Sequence, residues 1–222
     1  MKTKVYIDGY NLYYGRLKNT PYKWLDIVKL FTHIVRVQSP ASELVAIDYF
    51  TAPCLGRFSR RPESVHIQQS YLRALEQNPI LTIVQGFHSA ERTCLPAYHQ
   101  ATKRPNLDDK HWVWRVEEKQ TDVNIVLGLV LDAIDGLYDQ FVIVSNDSDL
   151  EPALKSIRDR DLSATIGVVV PAKQGRQRPA SAGLMQYADW TRHHILDVEL
   201  AEAQLSNKIP TRKKPIFKPS HW

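Results

Sequence analysis

The apolar positions of this chain recur with two different periods, and the switches between them mark its elements. Lys4 to Ile7 is a short β-rich run bounded by Asp8-Gly9. Between residues 21 and 37, Trp24, Ile27, Val28, Phe31, Ile34 and Val35 fall at helical spacing. Leu44 to Thr51 is branched, aromatic and mostly apolar, the pattern of a buried strand, and Pro53 stops it. Pro62 opens a helix to about Gln77, at the first turn where its missing N–H is harmless. Ile80 to His88 reads as a third strand, and residues 89 to 110 as a long polar loop. Trp112, Trp114 and Val116 alternate along a short strand, with packing into a core the commoner fate of such tryptophans. An apolar helix is expected from Asp122 to about Leu137, a strand over Phe141–Ser145 and a helix from about Asp149 to Arg160. Ala164 to Val170 is the last core strand, and two further helices are expected at Ser181–Ala188 and Asp197–Leu205.

Strands alternating with helices imply right-handed βαβ units and a mainly parallel sheet covered on both faces, an α/β three-layer sandwich. In such a sheet ligands bind beyond the carboxyl ends of the strands, where strand order reverses. The residues just after each strand are therefore the ones to inspect.

Two of those places are acidic. The first strand runs into Ile7-Asp8-Gly9-Tyr10-Asn11, and the strand at 141 into Ser145-Asn146-Asp147-Ser148-Asp149. A third acid, Asp122, heads the apolar helix. Singly, each aspartate could be no more than a turn residue or a helix cap. Brought together, unpaired carboxylates would raise one another's pKa and oppose folding. A divalent cation removes that conflict, and an all-oxygen set suits Mg²⁺ or Mn²⁺ rather than zinc.

Composition changes this picture little, and charge somewhat more. The 222 residues carry 29 Lys and Arg against 24 Asp and Glu, a formal net charge of +5. Five of the cations, Lys208, Arg212, Lys213, Lys214 and Lys218, lie in the acid-free stretch 203–222, so the remainder is balanced. The expected division is thus a domain over 1–200 and a basic, Pro-containing tail over 201–222. Overall charge is a weak nucleic-acid signal, but its placement is informative. The loop after residue 52 holds Arg57, Arg60 and Arg61; that after 88 holds Arg92, Lys103 and Arg104; that after 170 holds Lys173, Arg176 and Arg178. In a parallel sheet these loops share the edge that carries the acids, an arrangement suited to tracking phosphates. Tyr10 is the best placed ring for stacking on a base, and Lys119 for a carboxylate or a phosphate. Cys54 and Cys94 form no disulfide framework, and no apolar stretch reaches membrane-spanning length, which points to a cytoplasmic protein with free thiols and no membrane role.

Three blocks, Asp8-Gly9-x-Asn11-Leu12, Glu118-Lys119-x-x-Asp122-Val123 and Ser145-Asn146-Asp147-Ser148-Asp149-Leu150, resemble the signatures of the NYN domain family within the PIN-like nuclease superfamily, with the bacterial LabA-like branch closest in flavour. The resemblance covers roughly residues 1 to 170 and extends to the Lys218-Pro219-x-x-Trp222 ending. It implies a Rossmann-like sheet of order 3-2-1-4-5, bound Mg²⁺ or Mn²⁺, and metal-dependent hydrolysis of RNA, with DNA and a homo-oligomeric state left open. The family's acidic positions fall on Asp8, Asp122, Asp147 and Asp149, its helper amide on Asn11 and a small polar residue on Ser145. A non-catalytic, RNA-binding or regulatory member of the family is the alternative. Position 146 departs from the family's frequent Gly; an Asn there tolerates left-handed backbone, which would preserve the turn. Only Cys94 stands where some relatives carry paired cysteines, which puts a structural zinc there in doubt.

Overall fold

The computed structural model describes residues 1–59, 61–100, 104–160, 162–175, 179–220 and 222. Its elements, in chain order, begin with β1 (Lys2–Asp8), a short α1 (Gly9–Leu12), α2 (Ile27–Gln38), β2 (Glu43–Thr51) and α3 (Ser64–Leu75). There follow β3 (Leu81–Gln85), β4 (Phe87–Pro96), β5 (Lys110–Lys119), α4 (Thr121–Ile134) and β6 (Gln140–Val144). The last are α5 (Glu151–Asp159), β7 (Thr165–Val169), α6 (Ala182–Met185), β8 (Trp190–Arg192), α7 (Asp197–Glu202), β9 (Lys208–Ile209) and β10 (Ile216–Phe217).

The central sheet has the order β3-β2-β1-β6-β7-β8, and each neighbouring pair is parallel. The first five strands reproduce the expected order; β8 adds a sixth at the edge. Alternation along the central strands sorts side chains into two layers. Val5, Ile7, Val142 and Val144 pack with α2, α3 and α7 on one face. Tyr6, Phe141 and Ile143 pack with α4, α5 and α6 on the other. Lys4 also faces the second layer, where its ammonium bridges Asp48 at 2.8 Å and Asp132 at 2.7 Å while Tyr6 donates to Asp132 at 2.5 Å. Asp132 thus serves the far end of α4, away from the acids at its head.

Three expectations are corrected. Residues 89–110 are not one loop: β4 and β5 form a ten-rung antiparallel ribbon outside the main sheet. Trp112 and Trp114 lie on that ribbon, 75% and 54% exposed, and are not core residues. The helix expected at Ser181–Ala188 reduces to α6.

The C-terminal stretch folds back on the body. Ile216 is buried, and the Trp222 ring meets those of Trp24 and Tyr71 at 6.2 and 5.5 Å. The Leu205 N–H donates to the Trp24 carbonyl and the Asp26 N–H to that of Ala203, which ties the stretch to the start of α2. Among the described residues no helix is long and apolar enough to cross a membrane.

Candidate metal centre

The strand order reverses between β1 and β6, and the register there pairs Ile7 with Val144. The next residues, Asp8 and Ser145, therefore emerge side by side, and the Ser145 hydroxyl donates to Asp8 Oδ2 at 2.9 Å. Asn11 grips the same carboxylate from the other side. Its backbone N–H donates to Oδ1 at 2.9 Å and its Nδ2 to Oδ2 at 2.6 Å. Asp8 thus caps α1 while its carboxylate stands in the acidic cluster, so capping does not exclude a place there. Gly9 permits this turn, because a Cβ there would stand 2.6 Å from the Phe50 carbonyl oxygen.

Asp147 follows from the same geometry. Its N–H donates to Ser145 Oγ at 3.1 Å, and its Oδ1 accepts the Asp149 N–H at 3.0 Å. Asp147, not Asp149, therefore caps the turn that leads into α5. Asn146 is not among the residues with left-handed backbone. Its side chain instead crosses to the segment after β7, donating to the Pro179 carbonyl at 3.1 Å and accepting the Ser181 N–H at 2.7 Å. The polar amide is useful there because it binds two loops together, a task glycine could not perform.

Asp122 enters through a sharp corner between β5 and α4. Gln120 takes φ = +74°, an uncommon conformation for a residue with a side chain. Gly86 lets the β3–β4 junction press against this corner, since a Cβ there would lie 2.4 Å from the Lys119 carbonyl oxygen. The corner delivers Asp122 and Glu118 to the same place, and the Thr121 hydroxyl donates to Glu118.

One carboxylate oxygen each from Asp8, Asp122 and Asp147 lies within 4.8 Å of the others. Among the described residues none of the three forms an ion pair. Burial raises the pKa of Asp8, opposed by its hydrogen bonds to Asn11 and Ser145 and reinforced by Asp147. Burial first, then Asp8, Asp147, Glu118 and Asp149, push Asp122 up to about 6. Three carboxylates repelling one another without a counter-charge, one of them held by three hydrogen bonds, is the donor set a small hard cation needs. Asp149 lies close enough to repel Asp122 but is exposed and outside the trio. Glu118 is the residue that sequence reasoning passed over as a member of the site. It is half-buried, with its pKa raised by burial and by Asp8. Its position in the Glu118-Lys119-x-x-Asp122 block was the available signal.

A cleft of about 930 Å³ opens beside the acids, with Asp147, Asn11, Tyr10, Tyr14, Lys18 and Lys173 among its walls. Tyr10 is fixed from behind. His88 Nδ1 lies 2.9 Å from the Pro53 carbonyl, so that nitrogen carries the proton and Nε2 accepts from the Tyr10 hydroxyl at 2.8 Å. The Tyr10 ring packs on Tyr14, whose half-exposed face lies under the Lys18 ammonium at 4.7 Å.

The cations expected around the acids are distributed unequally. Lys173 lines the cleft, 3.4 Å from Asp197, and Arg61 is near enough to Tyr13 to act on its hydroxyl. Arg57 lies after β2 with its guanidinium over Trp114. Arg92 is a ribbon residue paired across from Trp114, and Arg104 is exposed between the two ribbon strands. Lys119 pairs with Glu117 at 2.5 Å. Arg60, Lys103, Arg176 and Arg178 lie outside the described residues.

The NYN domain profile matches residues 2–197. The 6-hydroxy-3-succinoylpyridine 3-monooxygenase HspA of Pseudomonas putida is 39% identical over 238 residues, an alignment that spans all of this chain and 75% of that protein. Among solved structures, a protein of unknown function from Vibrio parahaemolyticus aligns at 18% identity with a TM-score of 0.49, covering 88% of this chain and 93% of the other.

Proposed function

This chain belongs to the NYN domain family, and we propose that it is a metal-dependent nuclease of the PIN-like kind that hydrolyses phosphodiester bonds in RNA. The observation that carries this reading is the convergence of Asp8, Asp122 and Asp147 within 4.8 Å at the switch point of the sheet, with no cationic side chain among the described residues to neutralise them.

Asp8, Asp122 and Asp147 would hold one Mg²⁺ or Mn²⁺. When bound, such an ion supplies Lewis acidity, easing ionisation of water near neutral pH and offsetting charge on the phosphoryl oxygens. Asn11 and Ser145 position Asp8 through the hydrogen bonds described above. Asp149 and Glu118, beside the trio but outside it, would orient the attacking water and take its proton. Tyr10, Tyr14, Lys18 and Lys173 line the approach and suit a base and its phosphates. Attack in line leaves a 5′-phosphate and a 3′-hydroxyl. The cytoplasm is the compartment this substrate and the free thiols favour.

The test is cleavage of end-labelled single-stranded RNA with Mn²⁺, comparing the wild type with Asp147→Asn. The expected result is cleavage by the first and loss of at least about a hundredfold in the second. Equal trace activity in both would mean a contaminant and end the reading. Tight, salt-dependent binding with the RNA left intact, unaffected by EDTA, would favour the non-catalytic alternative.

A second reading comes from the relative in Pseudomonas putida, which is named as a monooxygenase acting on 6-hydroxy-3-succinoylpyridine. The donor set argues for hydrolysis instead: three carboxylates suit Mg²⁺ or Mn²⁺, whereas non-haem iron oxygenases use two histidines and one carboxylate. Oxygen incorporation into that pyridine, lost in Asp147→Asn, would reverse the assignment.

A further inference from the structure

The β4–β5 ribbon has two faces of different character. Cross-strand partners point to the same side, so Glu118/His88, Val116/Ala90, Trp114/Arg92 and Trp112/Cys94 share one face, and Glu117/Ser89, Arg115/Glu91 and Val113/Thr93 the other. On the second face the charges are satisfied internally, since Arg115 and Lys119 both pair with Glu117. The first face begins at the carboxylate cluster itself, with Glu118 beside Asp8 and Asp122 and His88 holding Tyr10. It then runs outward to two tryptophans that are mostly exposed. At the usual rise per residue, Trp112 stands about 20 Å beyond Glu118.

The loop after β2 frames this face. The Phe58 ring meets the edge of Trp114 at 5.6 Å, and the Arg57 guanidinium lies 5.0 Å from the Phe58 centroid and 5.3 Å from that of Trp114. Among the described residues neither Arg57 nor Arg92 has a carboxylate partner. The face therefore combines aromatic rings with unpaired cations, in line with a centre built to act on a phosphodiester. That combination matches an unpaired nucleic-acid strand, whose bases stack on rings and whose phosphates meet guanidinium groups.

We propose that the β4–β5 ribbon is an arm that carries a single nucleic-acid strand to the carboxylate cluster, with Trp114 and Trp112 stacking bases and Arg57 and Arg92 meeting phosphates. The proposal rests on the nucleic-acid reading of that cluster and adds where the rest of the strand lies. Two tryptophans displayed in line on a ribbon outside the main sheet form an exposed patch of the kind that marks an interaction site.

The test is binding of a fluorescein-labelled, unstructured RNA of about 20 nucleotides to the full-length protein in EDTA, followed by anisotropy, with tryptophan fluorescence as a second signal. The wild type should bind with quenching. Trp112→Ala/Trp114→Ala should weaken binding by at least about tenfold, and Trp112→Phe/Trp114→Phe should retain most of the affinity, because stacking needs a ring rather than an indole. Unchanged affinity in the alanine variant overturns the arm. So does unchanged affinity accompanied by conversion of a dimer to a monomer in light scattering, which would assign the face to a second copy. If that variant binds normally and the wild type still cleaves RNA with Mn²⁺, the arm fails and the nuclease reading stands. A wild type that neither binds nor cleaves removes both.

Discussion

Asn11 holds both oxygens of Asp8, with its backbone N–H on Oδ1 at 2.9 Å and its side-chain amide on Oδ2 at 2.6 Å. Asn11 thus supplies two of the three hydrogen bonds that orient the most buried carboxylate of the cluster. Asn11→Ala removes the amide and leaves the backbone contact. Partners that orient a metal ligand are worth about 10–100-fold in metal affinity or activity. The expected outcome is a loss of that order in Mn²⁺ affinity by calorimetry, with the far-ultraviolet circular dichroism spectrum unchanged.

The cluster should set the pH dependence of the metal-free protein. Asp122 is raised from an ordinary 3.8 to about 6, by burial and then by its acidic neighbours. Between those two values the folded state binds more protons than the unfolded state, so stability falls as pH rises through this window and levels off above it. Asp122→Asn should remove much of that slope and raise the Tm of the metal-free protein at pH 7. Thermal melts from pH 4 to 8 in EDTA test this; an unaltered slope in the variant would contradict it.

Metal should reverse the same penalty. At a hundredfold excess over its Kd a ligand stabilises by about 2.7 kcal/mol, which is about 5–10 °C in Tm for a chain of this size. The rise on adding Mn²⁺ should be larger at pH 7.5 than at pH 5, where a proton competes for Asp122. Equal rises at both values would point to binding elsewhere.

Gly86 is where the β3–β4 junction meets the corner before α4. A Cβ would lie 2.4 Å from the Lys119 carbonyl oxygen and 2.7 Å from Thr121 Oγ1. Gly86→Ala should cost about 1–3 kcal/mol in urea unfolding. It should also lower RNA cleavage, because the backbone that must give way carries Asp122.

Trp222 tests the C-terminal clasp. Its ring packs against Trp24 and Tyr71, next to the start of α2. Trp222→Ala should destabilise by about 2–4 kcal/mol, toward the lower end of aromatic truncations because the ring is only partly buried. An unchanged urea midpoint would show that the clasp is not needed for stability.

What the sequence determined by itself was whatever local pattern can encode. Asp8 and Asp147 were legible because each directly follows a well-marked buried strand, and a parallel sheet places all such ends on one edge. Asp122 was legible from the start of an apolar helix. The sheet order came from the family resemblance, and the structure reproduces it in the first five strands. The tertiary structure decided the rest. The first ribbon strand, Phe87–Pro96, escaped notice because both its faces meet water, so burial imposes no alternation on it. Exposure of Trp112 and Trp114 depends on where the ribbon points, which no periodicity records. Glu118 joined the site because the left-handed corner at Gln120 folds β5 back on α4, and that corner is held by Gly86, distant in sequence. Convergence of the three aspartates is likewise a long-range fact: Asp8 and Asp147, 139 residues apart, become neighbours only when β1 and β6 pair. Local sequence named the carboxylates; the register of the sheet set Asp8 beside Asp147, and the corner at Gln120 brought Asp122 to them.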